Sequence, residues 1–206
     1  MTNSPFIIQQ NFLSPLVCED IVDLLNFGPT DLDVDNNPIV NIKHSDQLEA
    51  VIFERLEELI PKIEEKYDIE YLGTDKMIFE YYAEKFNGQK PQSENSSYLR
   101  GKWLRTKNFD FTGILWLSNY NDKIPFDGEF EVFGGKLEFP QYGFSLNPEQ
   151  GTLVIFPSVP NFINSMTPIS LGDLYQVRIR ITAKVPYLHN PKKFQGTYID
   201  WFQEFV

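Results

Sequence analysis

Apolar residues recur along the chain at two spacings, and the change between them divides it. Val17, Ile21, Leu24 and Leu25 fall at helical spacing; Ser14 can cap that run, Pro15 suits its first turn, and Gly28-Pro29 closes it. Residues 30–44 are polar, with Asp31, Asp33, Asp35 and Asn36-Asn37-Pro38, and read as a loop. Leu48, Val51, Ile52, Leu56, Leu59, Ile60 and Ile63 form a second helical stripe, capped by Ser45 or Asp46 and kinked or restarted at Pro61. Glu57, Glu58, Glu64 and Glu65 lie off that stripe and predict a solvated face.

From about residue 69 the pattern becomes that of strands. Met77–Tyr82, Gly151–Pro157 and Tyr175–Val185 read as strands, and Phe111–Leu117 is apolar enough to be buried on both faces. Phe130–Phe133 and Lys136–Phe139 flank Gly134-Gly135, which predicts a hairpin or a glycine bulge. Phe162–Ile169 is a further candidate. Residues 85–110 are polar and irregular, a long loop of the kind that is often functional or mobile. Two helices followed by seven or eight short strands predict a mainly β fold, a jelly roll supported by N-terminal helices. The expected organisation is one domain over 1–206: helical support in 1–68, a jelly-roll core in 69–186 and an aromatic tail in 187–206. In that tail Tyr198, Trp201, Phe202 and Phe205 either dock on the body or form a candidate oligomer interface.

Composition narrows the chemistry. The chain has 206 residues and a net charge of −11, which argues against nucleic acid or an anionic membrane as partner. No apolar run approaches a membrane span and no signal peptide is visible, so the expected location is the cytoplasm of a host cell or a virus particle. Cys18 is the single cysteine, which excludes an intrachain disulfide and a multi-cysteine metal site. It stands beside Glu19 and Asp20, which disfavour a thiolate, so no nucleophile is expected there. The only histidines are His44 and His189. There is no G-x-S-x-G elbow, Walker loop or dinucleotide fingerprint. The Asp31, Asp33, Asp35 run lacks the glycine and terminal glutamate of a calcium loop and reads as solvated.

Four segments carry a resemblance. NFLSPLVCEDIVDLL (11–25), GGKLEF (134–139), GTLVIFPS (151–158) and MTPISLGDLYQVRIRI (166–181) resemble, in that order, the iron(II)/2-oxoglutarate-dependent dioxygenases, in particular prolyl-hydroxylase-like members often encoded by tailed phages. The resemblance implies a double-stranded β-helix, the jelly roll already indicated by the strand pattern. It also implies a His-x-Asp pair, a second histidine and a cation for the 2-oxoglutarate carboxylate, since imidazoles and a carboxylate suit Fe(II) and arginine binds a carboxylate bidentately.

The chain departs from that pattern at each histidine. In KPQSENSSYLRGKW, Gln92 stands at the first histidine and Glu94 at the aspartate. The second histidine falls on Asn161 in one register and on Asn164 in another, anchored on Thr167-Pro168. In the latter register the 2-oxoglutarate cation falls on Leu174, so that Arg178 fits only with a shifted spacing. A further alignment puts Arg105-Thr106-Lys107 on the His-x-Asp pair, which would place cations against a metal. Amide oxygens are weak donors for a redox-cycling iron. The expectation is therefore a pseudoenzyme: a dioxygenase-fold protein without cofactors, serving as a structural or protein-binding module through a protein partner or self-association. The alternative is an active enzyme using Fe(II) and 2-oxoglutarate with an atypical ligand set, Glu94 as carboxylate ligand, Arg178 as anchor and His189 recruited from the tail.

Some residues keep two readings. Glu94 is a residual metal ligand or a solvated residue in a Ser/Asn/Gln-rich loop. Arg178 and Arg180 share a strand face; inside the roll they form an anion site or an internal ion pair with a residue such as Glu80 or Glu138, and outside it they are solvated. Trp103, Trp116 and Trp201 fill the core or mark a partner surface.

Overall fold

The computed structural model describes residues 4–26, 30–32, 38–40, 45–122, 131–190 and 193–194. Its helices are α1 (Pro15–Asn26), α2 (Ser45–Glu57) and α3 (Ile60–Tyr67). In chain order the strands among the described residues are β1 (Ile7–Gln9), β2 (Thr30–Leu32), β3 (Pro38–Val40), β4 (Tyr71–Thr74), β5 (Ile78–Tyr82), β6 (Gln89–Gln92), β7 (Ser96–Leu99), β8 (Lys102–Arg105), β9 (Phe111–Trp116), β10 (Asn119–Tyr120), β11 (Glu131–Gly134), β12 (Leu137–Phe139), β13 (Phe144–Leu146), β14 (Leu153–Pro157), β15 (Asn164–Met166), β16 (Ile169–Gly172) and β17 (Leu174–Ala183).

The large sheet runs β1-β14-β9-β17-β5-β3-β2, with β4 also paired to β17. A sheet in the order β13-β12-β15-β6 and a shorter one, β10-β11-β16, supply the opposing wall. Ile114, Trp116, Val154, Phe156 and Leu174 of the large sheet pack in one buried cluster with Leu137, Phe139, Met166 and Val132 of these walls, so the sheets enclose a single core. The fold is a double-stranded β-helix. On the other face of the large sheet, Val177, Ile179, Ile181, Phe111, Leu115 and Ile155 meet Ile21, Val22 and Leu25 of α1, Ile52 and Leu56 of α2 and Ile63 of α3.

Local chemistry accounts for the helices. The Ser14 hydroxyl accepts from the Val17 amide at the start of α1. The second stripe breaks between Glu57 and Ile60, and Pro61 sits in the first turn of α3, so the proline restarts the helix. Tyr67 closes α3 with its hydroxyl donating to the Pro5 carbonyl (2.7 Å) deep in the core.

Several expectations need correction. Residues 30–44 are not all loop: β2 and β3 pair and join the edge of the large sheet. Segment 1–68 therefore supplies strands as well as helices, β1 included. Residues 85–110 are not one irregular loop but contain β6, β7 and β8. Of the two readings at Gly134-Gly135 only the hairpin fails, because the flanking strands belong to different sheets; the irregularity expected of a glycine bulge is present, since the β11–β16 register shifts at Phe133/Gly134. Gly134 has φ of 101°, and a Cβ there would lie 2.1 Å from the Pro168 carbonyl oxygen, so both conformation and space require glycine. Phe162–Ile169 is not one strand but a short 3₁₀ turn followed by β15 and the start of β16. At the chain's end, Tyr187 and Phe194 dock in the helix-side core; Tyr198, Trp201, Phe202 and Phe205 lie outside the described residues, as do His44, Asp33 and Asp35.

Candidate functional site

The inner face of the large sheet is apolar at one end and charged at the other. Along β17 the inward positions run Leu174, Gln176, Arg178, Arg180, while Val177, Ile179 and Ile181 point to the helices. Arg178 is 5% exposed. Its Nε and Nη2 donate to the two Glu80 carboxylate oxygens (2.8 and 3.2 Å), and its Nη1 donates to Glu94 Oε1 (2.8 Å). Gln176 Nε2 donates to Glu80 Oε2 (2.6 Å). Burial by itself would lower the Arg178 pKa, but Glu80 and then Glu94 outweigh it and hold the guanidinium charged. Burial pushes the neighbouring Tyr82 phenol up, and Glu80 adds to that, so Tyr82 stays neutral and accepts from Gln89 Nε2 (3.0 Å).

Glu94 reaches Arg178 because its loop is a buried strap. The residue is 4% exposed, and the solvated reading of it is overturned. Ser93 Oγ donates to the Ser158 carbonyl (3.0 Å), the Asn95 amide donates to the same oxygen (3.2 Å), and Asn95 Nδ2 donates to the Phe109 carbonyl (2.9 Å). These partners are what permits a Ser/Asn segment to leave water. Beyond the strap, β7 and β8 form a hairpin bonded to none of the other sheets among the described residues.

The remaining candidates divide. Gln92 is exposed at the end of β6, and its cross-strand partner is Asn164 on β15, so the backbone sets these two opposite one another. Asn164 is buried, its Nδ2 directed to the Phe162 carbonyl (3.5 Å). Asn161 lies in the 3₁₀ turn before it. Leu174 is fully buried in the inner core and supplies no cation. Arg180 stacks over the Phe109 ring (5.0 Å), and its Nε is buried without a hydrogen-bond partner. Glu138 does not join Arg178; it faces outward from β12 and lines a cleft of about 690 Å³ with Pro91, Ser145, Ser165 and Thr167. Arg105 pairs with the buried Asp110 (2.9 Å), whose carboxylate also accepts the Ala183 and Tyr187 amides. His189 packs edge-on against Phe162 (5.2 Å) and stacks near Phe194 (6.3 Å). With Glu80 and Glu94 already side by side, a neighbouring histidine would complete a group of three ligating residues; among the described residues no such group exists. Cys18 is buried and its thiol is pushed up to about 12, by burial first and by Glu19 as well.

These donors do not fit an iron(II) centre. The position that would supply a carboxylate is neutralised by a guanidinium at 2.8 Å, the flanking positions offer amides, and the described histidine sits among phenylalanines. A divalent cation would have to displace Arg178 from Glu94 and then meet a fixed positive charge beside it.

Sequence reasoning missed Gln176 and the Ser93–Asn95–Ser158 strap; the alternating Gln-x-Arg-x-Arg within an apolar strand was the available signal.

The architecture has close counterparts among solved structures. A prolyl-4-hydroxylase from Pseudomonas putida superposes with a TM-score of 0.61 at 13% identity, over 88% of this chain and 94% of that one. The viral collagen prolyl hydroxylase of Paramecium Bursaria Chlorella virus-1, in its 2OG complex, gives 0.57 at 12% identity, over 88% and 97%. A prolyl hydroxylase from Trichoplax adhaerens, in complex with a hypoxia inducible factor oxygen degradation domain peptide fragment, gives 0.61 at 14%, over 87% and 84%. At these identities the likeness establishes the fold. No protein-family model matches the chain, and no curated protein does. Among the described residues no helix is long and apolar enough to cross a membrane.

Proposed function

We propose that the protein is a catalytically degenerate jelly roll, a structural or protein-binding module built on the prolyl-hydroxylase fold and working without an iron centre. The observation that carries this reading is the internal neutralisation of Arg178 by Glu80 and Glu94. The carboxylate at the aspartate position of the resemblance is used to bind the protein to itself, and the Arg178 guanidinium is saturated by Glu80 and Glu94, which closes its fork to a co-substrate carboxylate. Glu94, Gln92 and Asn164 are then vestigial metal positions, and Arg178 is a structural cation. The partner is a protein, and a place in a virus particle belongs to this same reading.

The second reading, an active 2-oxoglutarate-dependent enzyme with an atypical site, is favoured by the near-complete coverage of the hydroxylase chains. Turnover separates the two. The protein incubated in air with Fe(II) and 2-oxoglutarate is expected to form no succinate above a chelator control. Iron-dependent succinate that disappears in Glu94→Ala would establish the enzyme instead.

A further inference from the structure

The β7–β8 hairpin differs in charge from the rest of the molecule. Its strands pair Ser97 with Leu104, Tyr98 with Trp103 and Leu99 with Lys102 across a tight turn at Arg100-Gly101, both at positive φ. Leu99, Lys102 and Leu104 share one face, and the leucines are 51% and 48% exposed. Lys90, Arg100, Lys102 and Lys107 are exposed around it, while the segment's single carboxylate, Glu94, is turned inward to Arg178. A basic, leucine-bearing ribbon therefore projects from a protein of net charge −11.

The helical layer carries the complementary surface. α1 exposes Leu16 and Leu24 (67% and 49%) beside the exposed Asp20 and Asp23, and α2 exposes Val51 near Glu54 and Glu57, with the one exposed cation of α2, Arg55, paired to Glu58 (3.7 Å). The helices cover the outer face of the large sheet, whereas the hairpin continues from the strap whose Glu94 reaches the inner face.

We propose that the protein associates with itself head to tail, the basic hairpin of one copy docking on the acidic, apolar helical layer of the next. Charge selects this geometry: hairpin against hairpin and helix layer against helix layer both set like charges together, and only the unlike pairing matches apolar residues while neutralising charge. Where the two surfaces of a pair do not meet reciprocally, such a contact is heterologous and builds a ring or an open filament. The inference goes beyond the scaffold reading and does not depend on it, because association is read without reference to turnover.

Sedimentation equilibrium of the full chain tests it. At low salt the wild type is expected to exceed its 24.0 kDa monomer mass increasingly with concentration, and to return to monomer at high salt. Two variants change only exposed residues: Arg100→Ser/Lys102→Ser on the hairpin, and Asp20→Asn/Asp23→Asn/Glu54→Gln/Glu57→Gln on the helices. Each alone is expected to be monomeric, with a circular dichroism spectrum like the wild type. Mixed in equal amounts they should form a 1:1 pair and nothing larger, since each retains one intact surface. A wild type that stays monomeric at low salt overturns the proposal. So does self-association that persists in both variants, or a mixture that remains monomeric.

Discussion

One strand, β17, carries two kinds of surface. Toward the helices Val177, Ile179 and Ile181 join a broad apolar core shared with all three helices. Toward the roll Gln176 and Arg178 depend on two glutamates, Glu80 and Glu94, that lie 98 and 84 residues from Arg178 in sequence. The helix side is held by many interchangeable contacts. The inner side is held by a few that are not interchangeable, because a buried charge without its partner is costly whereas a trimmed aliphatic is merely a small cavity.

Neighbouring residues should therefore respond very differently. Arg178→Met leaves two buried carboxylates facing one another and is expected to cost about 3–5 kcal/mol in urea unfolding. Ile179→Val, one position along on the opposite face, should cost roughly 0.5–1.5 kcal/mol. Similar losses for both would erase the contrast. Removing all the charges together sharpens it: Arg178→Met/Glu80→Gln/Glu94→Gln is expected to be more stable than Arg178→Met alone, since no unpaired ion remains. A triple variant less stable than the single would mean that shape, not charge, governs this face.

Glu94→Gln keeps the outline of the side chain and removes its charge, and should cost about 1.5–3 kcal/mol, the range for a hydrogen bond to a charged group. On the helix side, Cys18 should resist a disulfide reagent at pH 8 in the folded protein and react once urea exposes it, because burial holds its pKa near 12. Rapid reaction in the native state would mean that this face is not closed. The smallest effect concerns His189, whose pKa burial lowers from 6.5. The unfolded chain then takes up the proton first, so stability present above about pH 6.5 is lost as the pH falls below it. His189→Gln should flatten that part of the stability profile, read as melting temperature against pH, whereas His44→Gln serves as the comparison.

What could be read from the sequence follows the same division. α1, the restart at Pro61, and strands β9, β14 and β17 are set by local periodicity and local caps, so their residues announce them. The jelly roll followed from the order of those elements. The strap did not, because Ser93 and Asn95 look solvated until their partners are known, and those are backbone carbonyls of Ser158 and Phe109, 65 and 14 residues away. β6 to β8 lack an apolar alternation and merge with a polar loop on paper. The candidate site was half legible. Arg178 stood out as a cation in an apolar strand with Glu80 as a conceivable partner, but Glu138, equally plausible by type, faces the other way because it occupies the outward position between Leu137 and Phe139. The ladder that sets Asn164 across from Gln92 likewise could not be read from the spacing.

In the proposed reading, Glu80 and Glu94 neutralise Arg178 and so close this part of the inner face to iron and its co-substrate. Anaerobic titration of the folded protein with Mn(II) and Fe(II), with and without 2-oxoglutarate, tests it most directly. No saturable binding of either metal is expected, and no change on adding 2-oxoglutarate. Stoichiometric metal binding that 2-oxoglutarate tightens would contradict it, and would mean that Glu94 leaves Arg178 to ligate the metal.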